Sequence, residues 1–219
     1  FDGQALTFGG ERFTMHKRGD EYWTTIESLE AAKAAPDGRD PEPYHVRMGM
    51  VTGSHHMQVF WLPGMMGNLQ IGFPFSWLVE DQRWAPRNSL FIRDPHTVIT
   101  QENWNMNCIR CHTTGPQPKP NKAEQRFESQ IADLGISCEA CHGPGQNHVD
   151  RQFRLAKLPE EERRQALKSE PLAIVQPTDL DHTRSTQVCG SCHGMKWFDK
   201  SEDWTAHGFS YRPGDDLAK

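Results

Sequence analysis

Apolar residues are scarce in this chain of 219 residues: they make up 36% of it, and the mean hydropathy is −0.75. That is low for a globular protein of this size, and it leaves little side-chain volume for a core unless something else supplies apolar bulk. A long hydrophobic run is also lacking. The most apolar stretch, residues 59–79, is punctuated by Pro63, Gly64, Gly67, Asn68, Gly72 and Pro74, which excludes a continuous spanning helix. No block of like charge stands out, the net charge is −5 and the pI is near 6.1, so nucleic acid is not an expected partner. The chain opens Phe1-Asp2-Gly3-Gln4, without the basic region and apolar run of an export signal. Cysteine is missing everywhere except in three short units, which excludes a disulfide framework and a lone thiol nucleophile.

What is present is a repeated five-residue unit. Cys108-Ile109-Arg110-Cys111-His112, Cys138-Glu139-Ala140-Cys141-His142 and Cys189-Gly190-Ser191-Cys192-His193 account for all six cysteines. A Cys-x-x-Cys pair followed at once by histidine is the spacing of a c-type haem attachment site, with two thioether bonds to the porphyrin and the adjacent imidazole on the iron. Zinc would want four ligands, typically two such pairs per ion, and three pairs do not divide by two. Thioredoxin-like chemistry uses one pair and gives no reason for three trailing histidines. The reading is therefore three covalently attached haem c groups, whose apolar macrocycles would supply the missing core volume. Haem c is attached outside the cytoplasm, so a periplasmic or extracellular location is expected, with an export signal removed.

Along the chain, residues 1–100 read as β-rich. Arg12 to Lys17 alternates with Phe13 and Met15 on one face, and Glu21 to Glu27 continues after a hairpin signal at Lys17-Arg18-Gly19-Asp20. Strands are also predicted at Tyr44 to Val51 and Met57 to Leu62, with a loop through Ala35-Pro36-Asp37-Gly38 and Pro41-Glu42-Pro43. Residues 101–219 read as short helices and loops around the haem motifs. One helix is predicted from Asn121 and Glu124 through Ala123, Phe127, Ile131 and Leu134 to a stop at Gly135, delivering the second motif. Another begins at Pro159, where Glu160, Glu161 and Glu162 precede Arg163, Arg164 and Lys168, the charge order of a solvated helix. The expected fold class is α+β, a β-rich N-terminal part packed against a loop- and short-helix-rich haem-binding part.

His112, His142 and His193 fill the proximal positions. Eight histidines remain as candidates for the distal ones: His16, His45, His55, His56, His96, His148, His182 and His207. His55 and His56 are adjacent in a segment read as extended, so one haem is reached by only one of them. His148 lies six residues after His142, too short a tether to pass round the same macrocycle, and is expected to ligate a neighbouring haem. His182 precedes Cys189 by seven residues, and the same argument sends it to another haem. Met106 and Met195 lie near motifs, but the histidine supply makes methionine ligation unnecessary.

Several further segments carry a resemblance. Gly53-Ser54-His55-His56-Met57-Gln58-Val59-Phe60-Trp61, Gln82-Arg83-Trp84, Asn103-Trp104-Asn105 and above all the run from Gly135 through Cys138-Glu139-Ala140-Cys141-His142-Gly143-Pro144-Gly145 to His148 resemble a group of multihaem c-type cytochromes. Some members of that group carry tetratricopeptide repeats, which these residues lack. The resemblance implies a periplasmic or surface electron carrier with closely packed haems, and it favours His56, His148 and His182 as distal ligands. His56 is preferred because the family's histidine stands four residues before the pair matched by Phe60 and Trp61. The expectation is a trihaem electron carrier, not an enzyme, with bis-histidine haems and other redox proteins, further haem subunits or copies of itself as partners. Two alternatives stay open: an oxidoreductase with one open haem acting on a small nitrogen compound, and a subunit of an extracellular cytochrome polymer or larger redox complex.

Overall fold

Strict alternation in β2 (Glu11–Arg18) sends Phe13 and Met15 to one side, where both are almost fully buried. A two-residue turn, Gly19-Asp20, joins it to β3 (Glu21–Ser28), and Gly19 takes the positive φ of 61° that a tight hairpin requires. With β1 (Ala5–Phe8) and β4 (Tyr44–Arg47) these strands form an antiparallel sheet of order β1-β2-β3-β4. A second antiparallel sheet holds β5 (Met50–Thr52), β6 (Met57–Pro63), β7 (Gln70–Leu78) and β8 (Arg83–Pro86), in that order. The computed structural model describes residues 1–30, 42–90, 102–194 and 201–218. The predicted loop at 35–38, His96 and Met195 lie outside the described residues.

The single strand predicted at Tyr44 to Val51 is two strands, one in each sheet. Met48 N–H still donates to Tyr22 O at 2.7 Å, whereas Gly49 N–H donates to Trp61 O at 2.8 Å, so the backbone changes sheets between them. A Cβ at residue 49 would meet the amide end of the Gln70 side chain. Both sheets feed one core through Phe13, Met15, Met48, Phe60, Phe73 and Phe75. Phe13 and Phe73 meet edge to face, their centroids 5.4 Å apart at 90°.

The chain divides into two compact units: Phe1–Asn107 with Lys122–Phe127, and Cys108–Asn121 with Glu128–Lys219. In the first, the approach to Cys108 is tied down by Arg87, which is 8% exposed, lies 4.5 Å over the Trp61 ring and pairs with Glu102. Gly72 N–H donates to Glu102 O at 2.9 Å, and Trp61 packs 5.3 Å from Trp104. Phe127 is buried in the same unit, its N–H donating to Gly67 O at 2.7 Å and its carbonyl accepting from Asn68 at 3.0 Å.

The second unit is helical: α1 (Ile109–His112), α2 (Glu139–His142), α3 (Gln146–Leu155), α4 (Glu160–Ser169), α5 (His182–Gly190) and α6 (Ser201–His207). The predicted solvated helix is α4, which follows Pro159, opens on three glutamates and buries none of its residues. The predicted helix from 121 to 135 does not form. Gln117 and Gln130 exchange backbone hydrogen bonds of 2.8 Å, and Ala132 N–H donates to Thr114 O at 2.8 Å, so this stretch runs extended beside residues 114–117. The residues of the helical apolar stripe share no common surface: Phe127 is buried in the first unit whereas Leu134 is 81% exposed, and Gln125 has a φ of 52° that interrupts any helix. An extended segment, not a helix, therefore delivers Cys138. Among the described residues no helix is long and apolar enough to cross a membrane.

Candidate functional site

Each cysteine pair and its histidine occupy one helical turn. Cys138 caps α2, and its carbonyl accepts from Cys141 N–H at 3.2 Å and His142 N–H at 2.9 Å. Cys189, near the end of α5, does the same for Cys192 at 3.1 Å and His193 at 2.8 Å. Cys108 caps α1, which ends at His112 and is entered from a π-helical turn, Trp104–Cys108. Residues at positions i, i+3 and i+4 share a helix face, so this local geometry puts two thiols and an imidazole on one side. No disulfide joins any of the six cysteines.

The three turns are brought together within the second unit. Cys111 Sγ lies 3.8 Å from Cys192 O. Thr114, two residues beyond His112 and 5% exposed, donates through its hydroxyl to Gly135 O at 2.9 Å and accepts from Ser137 N–H at 2.9 Å, fixing the lead into Cys138. A cavity of about 250 Å³ is lined by residues of all three motifs, Arg110, Glu139, Ala140, Ser191 and Cys192, with His207 and Tyr211 from the end of the chain. Burial is the main cause pushing the Tyr211 phenol above its ordinary range.

The histidines differ in their settings. His142 Nδ1 lies 2.7 Å from Val175 O, and His148 Nδ1 lies 2.6 Å from Leu172 O. Gly143, at a φ of 75°, ends α2 and turns the chain through Pro144 into α3, which carries His148 on its first turn. His182 opens α5 directly after its cap Asp181, whose carboxylate accepts from Arg184 N–H at 3.0 Å. His112, His182, His193 and His207 are exposed. His55 and His56 sit exposed in the bend between β5 and β6, not in an extended strand, so the opposite-face argument does not apply to them. Of the other candidates, His16 Nε2 and His45 Nδ1 both lie 2.9 Å from the Thr25 hydroxyl, on the first sheet. Met106 belongs to the π-helical turn.

The residues present fit a covalently held haem. Free cysteine is normally among the most buried residues, yet Cys138, Cys141, Cys189 and Cys192 are exposed. In the sequence on either side of the second motif the apolar Leu134, Ile136, Val149 and Phe153 are exposed as well, side chains that a large apolar ring could cover. Among the described residues no three His, Cys, Asp or Glu side chains converge as a protein-only metal site. Residues 83–143, which hold the first two motifs, match the model of the family described as cytochrome c554 and c-prime. The match supports a c-type cytochrome. A cytochrome of this type is an electron carrier with covalently bound haem c, and haem c brings iron. No curated protein and no solved structure gives a significant match to the chain.

Sequence reasoning found the motifs but missed Thr114, Tyr211 and the carbonyls of Leu172 and Val175. Threonine and tyrosine here stand in no recognisable pattern, and a carbonyl belongs to every residue, so spacing carries no signal for them.

Proposed function

We propose that this c-type cytochrome carries three haem c groups and relays electrons between redox partners. Cys108 with Cys111, Cys138 with Cys141, and Cys189 with Cys192 would hold them, with His112, His142 and His193 as proximal ligands. Bound haem c supplies a one-electron iron couple whose potential the axial ligands and surroundings set. The observation that supports the reading is that residues of all three motifs line one cavity, with Cys111 Sγ 3.8 Å from Cys192 O. The chain's part is to fix spacing, orientation and burial. Thr114 ties the first motif to the second, and the Val175 carbonyl fixes the His142 ring with Nδ1 protonated and Nε2 available to a metal.

His56, His148 and His182 are the proposed distal ligands, making each iron bis-histidine. Because thioether attachment takes place outside the cytoplasm, the working location is the periplasm or the cell exterior, and the partners are other redox proteins, further haem subunits or copies of this chain. Intact mass spectrometry tests the haem content: the mature protein should exceed its polypeptide by three haem masses, and acid-acetone should extract none. A zinc-containing protein without a Soret band would overturn the proposal. Electron microscopy of native material separates a discrete carrier from a polymer subunit.

A further inference from the structure

We infer that the segment Leu172–Val175 is a shared positioning element for His142 and His148, setting the ligand environment of two haems at once; this rests on the proposed ligation by both histidines. A backbone carbonyl only accepts hydrogen bonds. The contacts of His142 Nδ1 to Val175 O at 2.7 Å and of His148 Nδ1 to Leu172 O at 2.6 Å therefore put the proton on Nδ1 in both rings. Each ring then offers its Nε2 lone pair, and the carbonyl makes each imidazole a stronger donor. Near His148 Nε2 stands the Gln152 amide, at 3.5 Å, a contact at the limit of a hydrogen bond that a flexible side chain gives up readily.

Two carbonyls three residues apart reach two different rings because of the backbone between them. Ala173 has a φ of 58°, a left-handed conformation that a residue with a Cβ rarely adopts without surroundings that impose it. Those surroundings are present at both ends. Upstream, Glu170 pairs with Arg151 at 3.6 Å and with Arg154, and Arg151 donates to Glu170 O at 3.1 Å, pinning the end of α4 to α3. Downstream, Val175 N–H donates to His142 O at 3.0 Å. A change in the Ala173 turn therefore moves both carbonyls, and the two haems respond together.

The test uses the full holoprotein in two variants. Ala173→Gly keeps the left-handed turn, whereas Ala173→Val opposes it, since a β-branched residue is strongly disfavoured at positive φ. The expected result is an unchanged covalent haem mass in both. In Ala173→Val, two of the three low-spin electron paramagnetic resonance signals shift and two reduction potentials rise together as the carbonyls withdraw; in Ala173→Gly the signals stay as in the parent. Signals identical in all three proteins, or a change confined to one haem, would overturn the inference. Should Ala173→Val fail to accumulate, nuclear magnetic resonance of the reduced parent and Ala173→Gly decides: the Nδ1 protons of His142 and His148 should both exchange slowly, and rapid exchange at either ring overturns the shared role. A parent protein without covalent haem would instead overturn the cytochrome reading itself.

Discussion

Four exposed cysteines in a chain without disulfides, two in each of two histidine-terminated turns, would have a common use in the proposed haem attachment. The motif residues were legible because this chemistry needs contiguous residues on one turn. The proposed distal ligands are less legible, since any histidine within reach would serve and reach is set by folding. His148 illustrates what the structure adds: its ring is held by Leu172 O, and replacing it with alanine should leave the covalent haem count unchanged while turning one low-spin iron high-spin, as read by resonance Raman. Tyr211 gives a pH test. Its phenol ionises above the ordinary range because burial disfavours the charged form, so the folded state holds the proton more tightly than the unfolded chain. The contribution to stability is complete below the unfolded pKa and is lost as pH rises through the folded one. Ring-labelled tyrosine resonances should show a phenol titrating at displaced alkaline pH, and Tyr211→Phe should abolish that step.

At the scale of elements, period-two alternation made β2 and β3 readable, because burial on one face of a sheet imposes it. The same reasoning failed between 121 and 135, where four apolar residues at helical spacing have no common surface to cover and the backbone bonds to residues 114–117 instead. Thr114 is the side chain that makes this pairing matter for the second motif. Thr114→Val keeps the shape but strands its hydrogen-bonding partners, and should cost about 1–3 kcal/mol, measured by chemical denaturation. In the sheets, Phe73 is fully buried against Phe13, and Phe73→Ala should cost about 3–5 kcal/mol. Denaturation midpoints falling by much less would mean that the two sheets do not share the core described.

For the whole molecule, the surplus of histidines removes any need for an open iron. In the trihaem carrier proposed above every haem should be low-spin, and cyanide, nitrite and carbon monoxide should bind only slowly; a stoichiometric high-spin haem that takes them rapidly would mark an enzyme. That the three cysteine motifs follow the strand-rich residues could be read from the sequence pattern. The return of Lys122–Phe127 to the first unit could not, because six residues between motifs carry no local sign of where they pack. That return has a consequence for the order of assembly. In the exported chain proposed above, emerging N-terminus first, Cys108 and Cys111 appear before Phe127 can reach its place beside Gly67 and Asn68. The sheet-bearing unit is thus incomplete while the first pair of thiols of the second unit is already accessible, and export N-terminus first would open an interval in which those sulfurs can be modified before the fold closes.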